Sequence, residues 1–161
     1  MTISIVPKDP LRLRPLLYEA WMFRETFKAR SCLPDTVSRN AYWESFLLHT
    51  RNLMDFLEGK KKFPGDLTCT DFEDRNGSPV PAATIDDADE VREAINKHMS
   101  HITQKRLEER PDWRGLERFV TSIREKLCEF LDAVAPEYCP DQTLIQSIRD
   151  YLRGATVVTV V

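Results

Sequence analysis

The sequence predicts an all-α fold, an antiparallel bundle of four to five helices with one long irregular loop between the second and third helices. Apolar residues recur at three- and four-residue steps through most of the chain, which is the period of an amphipathic helix. Only 5 of the 161 residues are glycine, which argues against a sandwich or barrel with many tight turns. Helices of about 15 to 23 residues with short joints pack most simply as an antiparallel bundle.

The first half of the chain contains two predicted helices and the loop. An apolar stripe spans residues 13–30, and Asp35 then predicts the N-cap of a second helix that runs to about residue 58. Residues 59–83 are interrupted by proline and glycine pairs, which predicts an irregular segment. We expect three apolar side chains to pin this segment to the bundle: Phe63, Leu67 and Phe72. We expect the three tryptophans to be packing residues of the interior: Trp21, Trp43 and Trp113.

The second half predicts three further helices. A third helix begins near Thr84, where acidic residues complement its N-terminal dipole, and the chain restarts at Pro111 with an apolar stripe over residues 116–134. Asp141 caps a short last helix that Gly154 ends. We therefore expect one domain over residues 1–161, with a bundle at 12–154 and a tail at 155–161 that pairs with residues 3–6 or stays loose.

Composition excludes several classes of function. No segment approaches the roughly 20 apolar residues that span a bilayer, and the start lacks the layout of a signal peptide. Four widely spaced cysteines form no CxxC pair, so we expect reduced thiols, a cytoplasmic location and no membrane partner. The net charge of −3 disfavours tight non-specific binding to long nucleic acid but allows a local basic site. No nucleotide-loop or hydrolase signature appears, and we predict no cofactor.

The third helix collects the most unusual polar residues. Arg92, Asn96 and Thr103 fall on one flank of its apolar stripe, whereas His98 and His101 fall on the other flank. Lys97 stacks one turn before His101, and Arg106 returns near the middle of the stripe. One interpretation is a bundle helix with ordinary solvated flanks. The other is a phosphate-handling cluster, in which imidazoles transfer protons and cations stabilise an anion.

The second helix offers His49 and Arg51 as further binding candidates. Arg51 shares a flank with Glu44, Asp55 and Glu58, so a surface ion-pair ladder is its default interpretation. His49 lies on the other flank, near Tyr42 and Phe56, where it can face another helix or subunit. Together with His98 and His101 it could also supply three imidazole ligands to a metal. We predict no metal site, because the zincin spacing of histidine and glutamate is missing.

Residues 35–135 resemble the HEPN superfamily of helical bundle proteins. Its ribonuclease members share an arginine followed, after four to six residues, by a histidine, and Arg92 precedes His98 with five residues between them. The commoner register has a polar residue directly after the arginine, and residues 96–101 fit it with Asn96 where arginine is expected. Residues 49–57 and 95–103 also look like stretches of uncharacterised bacterial proteins allied to this superfamily.

The resemblance implies a homodimer whose clefts bring together two copies of the third helix and cleave RNA without a metal, through attack of the ribose 2′-hydroxyl on the adjacent phosphate. His98 or His101 would act as acid or base, while Arg92, Lys97 or Arg106 would stabilise the developing charge. Such proteins often act as toxins or defence effectors with a neutralising protein partner. Two alternatives stay open: a non-catalytic helical module that dimerises or binds a protein or nucleotide, and a metal-binding bundle that uses the three histidines.

Overall fold

The computed structural model describes residues 8–9, 11–29, 32, 35–100, 116–139 and 141–154, apart from the side chains of His98 and Ser100. This part of the chain contains five α-helices and no strand, which confirms the predicted fold class. Their bounds are Arg14–Ala29 (α1), Thr36–Leu57 (α2), Ala88–Ser100 (α3), Leu116–Ala133 (α4) and Gln142–Arg153 (α5). The predictions for residues 3–6, for 101–115 and for the tail lie outside the described residues.

The helix ends follow local capping chemistry. The Asp35 carboxylate accepts a hydrogen bond of 2.8 Å from the Ser38 backbone N–H, and Asp141 accepts one of 3.0 Å from Leu144. Gly154 ends α5 with a φ of 93°, a left-handed conformation that favours glycine. These three predictions are confirmed. α3 begins at Ala88 rather than near Thr84, because Asp87 has a φ of 60° and a right-handed helix cannot continue through it.

Three pairs of helices pack antiparallel: α1 with α2, α2 with α3, and α4 with α5. Phe23 of α1 stacks on Phe46 of α2 with ring centroids 5.4 Å apart, whereas the earlier Glu19 reaches the later His49. In the same way, Arg92 and Asn96 of α3 contact progressively earlier residues of α2. Arg149 of α5 pairs at 2.8 Å with Asp132 at the end of α4, and the Arg124 side chain donates to the carbonyl of Leu152. Each of these pairs of helices therefore has the predicted antiparallel arrangement.

The segment between α2 and α3 is irregular but firmly attached to the bundle. The ring of Phe72 is 1% exposed and lies edge-on to Phe130 and Tyr138, so burying it stabilises the fold by about 1.5–3 kcal/mol. Backbone hydrogen bonds join Ala83 to Leu57 and Ala135 to Glu73. The predicted anchoring by Phe72 is confirmed, and Leu67 packs partly buried against the core.

Two expectations about aromatic packing are wrong. Phe63 is 70% exposed, because it begins a tight turn that directs it away from the core. Trp21 is 47% exposed on the outer face of α1, beside Tyr18. Trp43 does pack against Phe46, with ring centroids 5.4 Å apart. Of the helices that the structure describes, none combines the length and the apolar character that crossing a membrane requires.

Candidate functional site: a groove between the first two helices

A groove of 450 Å³ lies between the start of α1, the second half of α2 and the segment that follows α2. Its size falls within the usual range for small-molecule sites, about 300–1,000 Å³. Phe56, Phe72 and Leu67 give it an apolar lining. The groove is also lined by the ring of Phe63 and by five polar side chains that matter below: Arg12, Glu19, Arg51, Asn52 and Lys62.

Arg51 is the distinctive cation of this groove. Its Nη1 donates a hydrogen bond of 3.3 Å to the Oδ1 of Asn96 on α3, which holds the guanidinium against the wall. Its Nε is shielded from water and has no hydrogen-bond partner in the described part of the chain. A shielded donor without an acceptor is unfavourable, and the guanidinium fork matches the oxygens of a phosphate or carboxylate. Because the Arg51 side chain also lines the groove, its guanidinium can bind an anion there through the nitrogens at its end.

A histidine and a carboxylate meet on the α1 side of the groove. The His49 ring donates through Nδ1 to Glu19 Oε2 at 2.7 Å, and the amide of Asn52 donates to the same oxygen at 3.2 Å. The His49 side chain is 8% exposed and meets the edge of the Tyr18 ring at a centroid distance of 5.9 Å. The carboxylate thus fixes the orientation of the imidazole. The sequence placed His49 near Tyr42 and Phe56, whereas its hydrogen-bond partner comes from α1.

Arg92 lies in a cluster of carboxylates that joins α3 to α2. Its Nε donates to Asp55 at 3.0 Å, its Nη1 to Asp89 at 2.6 Å and its Nη2 to Glu58. Burial lowers the pKa of Arg92, but hydrogen bonds to Glu58 and Asp55 outweigh it and raise the pKa above the ordinary value. Arg92 is permanently charged and its three nitrogens are occupied. This geometry suits a structural clamp better than the stabilisation of a substrate anion.

The predicted ion-pair ladder along α2 is wrong. Arg51 bonds to the neutral Asn96, while Asp55 and Glu58 pair with Arg92 from α3. The reason is that α3 packs antiparallel on this flank and brings Arg92 to the two carboxylates. Lys62 and Lys60 complete the cluster, at 2.8 Å from Asp55 and 3.4 Å from Glu58 respectively.

The remaining predicted site residues divide into two groups. Lys97 is 60% exposed and pairs with Glu93 one turn earlier at 2.5 Å. The side chain of His98 and all of His101, Thr103 and Arg106 lie outside the described residues. Of the predicted set, the structure brings Arg51 and Asn96 together at the groove and places His49 behind its wall. A metal site with three histidine, cysteine or carboxylate ligands is not formed by the side chains that the structure describes.

Sequence reasoning missed Glu19, Asn52 and Phe63. Glu19 carried a weak signal, since it flanks the apolar stripe of the first helix three residues after Leu16, where a polar side chain can reach a packed neighbour. Phe63 carried none, because exposure at a turn is not encoded by residue type. Comparison of the chain with protein-family models, with curated proteins and with solved structures gives no match.

Proposed function

We propose that this protein is a HEPN-like helical module that binds a phosphate-bearing ligand, a nucleotide or an RNA phosphate, in the groove between α1 and α2. The observation that carries the proposal is that Arg51 has no carboxylate partner among the described residues. It lines the groove, and its hydrogen-bond partner among the described residues is the neutral amide of Asn96 rather than a carboxylate. A guanidinium that is positioned but not neutralised is a suitable receptor for two anionic oxygens.

The local charge supports an anionic ligand although the whole chain has a net charge of −3. Three carboxylates line the groove, and each is engaged: Glu19 with His49 and Asn52, Asp55 with Arg92 and Lys62, and Asp66 with backbone N–H groups of the loop. Arg12 adds a second cation, 4.0 Å from an exposed Asp9 carboxylate. The hydrogen-bonding capacity of these carboxylates is therefore used within the protein, and none of them forms an ion pair with Arg51.

The test is calorimetric titration of the full chain with adenosine monophosphate and with inorganic phosphate. We expect Arg51→Gln to weaken binding by about 10-fold or more, because hydrogen bonds to charged groups contribute about 1.5–3 kcal/mol. The control is Arg39→Gln, an exposed arginine in the first turn of the same helix that contacts Thr36. Equal affinity in the wild type and Arg51→Gln, or no binding by folded wild type, would contradict the proposal.

The second candidate is a metal-independent endoribonuclease, favoured by the spacing of Arg92 and His98 on one helix. Because Arg92 is enclosed by carboxylates, charge stabilisation would pass to Lys97 or Arg106, with His98 or His101 as acid or base. Cleavage of bacterial RNA and tRNA in EDTA by wild type, His98→Ala and His101→Ala tests this activity. Cleavage lost in one folded variant supports the ribonuclease and identifies its histidine. A folded wild type that binds nucleotide without cleaving RNA supports the binding module.

The same candidate includes the homodimer and the neutralising protein partner that the resemblance implies. Light scattering coupled to size exclusion gives the mass of the particle directly, to be compared with the 18.7 kDa of one chain. A dimer that cleaves RNA supports the ribonuclease, whereas a monomer contradicts the shared cleft that this mechanism requires. Activity that EDTA abolishes would instead favour the bundle with three histidine ligands.

A further inference from the structure

Phe63 is displayed at the rim of the groove by a closed turn. The Asp66 backbone N–H donates to the Phe63 carbonyl at 3.0 Å. The Asp66 carboxylate accepts from the backbone N–H groups of Lys62 and Phe63, each at 2.9 Å. Three hydrogen bonds therefore fix the backbone on both sides of an aromatic ring that is 70% exposed.

The residues before Phe63 are anchored as well. Lys61 pairs at 2.6 Å with Asp71, whose carboxylate is almost fully buried, and Lys62 pairs at 2.8 Å with Asp55 on α2. Folding the ring back into the core would require breaking these contacts. A single exposed apolar side chain is common and by itself indicates nothing. Phe63 differs because it is held in place on the wall of the groove that also contains Arg51.

We infer that Phe63 is a stacking platform that selects a phosphate ester carrying a planar aromatic group, such as a nucleoside monophosphate, over a bare phosphate or a sugar phosphate. The inference rests on the proposed binding of phosphate at Arg51. A nucleobase gains from contact with an aromatic face, and prior ordering of the backbone that carries the ring reduces the entropy lost on binding. Stacking of one base on one aromatic side chain changes affinity by about 5- to 100-fold.

The groove contains a cation and an aromatic ring carried on a fixed backbone, and each can recognise a different group of the ligand. Arg51 recognises the anion, which nucleotides and sugar phosphates share. Phe63 recognises the ring, which the sugar phosphates lack. An apolar side chain of a protein partner could also contact Phe63, but it would leave the guanidinium of Arg51 without an anion. The nucleotide therefore accounts for both features of the groove.

The experiment compares adenosine monophosphate with ribose 5-phosphate, which carry the same phosphate monoester, by calorimetric titration of the full chain. We expect wild type to bind the nucleotide about 5- to 100-fold more tightly. Phe63→Leu should remove this preference while the affinity for ribose 5-phosphate stays unchanged. Phe63→Trp, which keeps an aromatic face at this position, should retain the preference. Tyr42→Leu, the same kind of change at an aromatic residue that is 40% exposed on α2, serves as the control and should retain the preference.

The outcomes separate this inference from the proposed function. If Phe63→Leu keeps the preference for the nucleotide while Arg51→Gln abolishes binding, the phosphate site stands and the role of Phe63 is refuted. An equal loss of affinity for both ligands in Phe63→Leu also refutes it, since the residue would then only support the site. If folded wild type binds neither ligand, phosphate binding itself fails and the inference fails with it.

Discussion

Replacing Arg92 with glutamine distinguishes a structural clamp from an anion-binding catalytic residue. The side chains of Arg92, Asp55 and Glu58 are 12%, 15% and 13% exposed, so their mutual attraction is only partly screened by water. Asp89, by contrast, is 87% exposed and its pair with Arg92 contributes little. The substitution therefore acts mainly by leaving two largely buried carboxylates, Asp55 and Glu58, without their shared cation.

The expected loss of stability depends on which cations remain near Asp55 and Glu58 once Arg92 is replaced. At 3.0 Å and an effective dielectric constant of about 20, the attraction between Arg92 and Asp55 is about 5 kcal/mol, much of which offsets the cost of desolvation. Removing one partner of a fully buried pair costs about 3–5 kcal/mol. Here Lys62 remains 2.8 Å from Asp55 and Lys60 remains 3.4 Å from Glu58. We therefore expect the free energy of unfolding to fall by about 2–3 kcal/mol.

Urea denaturation followed by circular dichroism measures this loss, and a decrease of about 5–10 °C in Tm should accompany it. Lys97→Gln is the matched control, a cation on the same helix that is 60% exposed, and we expect a change within about 0.5 kcal/mol. If Arg92→Gln is as stable as wild type, the clamp is refuted. If such a stable variant also loses ribonuclease activity, Arg92 regains its predicted catalytic role.

Two further predictions concern local chemistry elsewhere in the fold. Gly154→Ala should lower the free energy of unfolding by about 1 kcal/mol, because the φ of 93° strains any residue with a Cβ. The control is Gly65→Ala, which has open space around it and should leave stability unchanged or slightly higher. A similar loss of stability at both positions, measured by urea denaturation, would argue against this account of the α5 end. Burial raises the pKa of Cys69 to about 11, which disfavours its thiolate in the folded state, so its contribution to stability is present below about pH 9 and declines as the pH rises towards 11. At pH 8 we expect iodoacetamide to modify the exposed Cys32 well before Cys69, as peptide mass spectrometry would show, and equal rates would contradict the buried position.

The parts of the fold that the sequence predicted depend on interactions within a few residues. The Asp35 and Asp141 caps bond to N–H groups three residues away, and Gly154 ends its helix through its own backbone conformation. The apolar period of 116–134 predicted α4, whose last residue, Ala133, lies one position before the end of that period. Short-range capping and periodicity are properties of the chain itself, so they can be predicted without knowing what packs against each helix.

The start of α3 and the position of Phe63 were predicted incorrectly for a different reason. The acidic residues after Thr84 are compatible with a helix that begins there, but the left-handed conformation of Asp87 delays it to Ala88. Phe63 is a residue type that favours the interior, yet a turn closed by Asp66 holds it at the surface. In both cases the backbone geometry of one turn prevailed over residue preference.

The composition of the groove was decided by tertiary structure alone. Arg51 meets Asn96 across 45 residues of sequence, and His49 meets Glu19 across 30. Helical periodicity assigned Arg51 and Asn96 to flanks of their helices, but a flank faces many potential partners. Antiparallel packing of α3 on α2 directed Asp55 to Arg92 and left Arg51 with a neutral amide. Periodicity determines the side of a helix on which a residue lies, whereas the neighbour that it meets depends on how the helices pack.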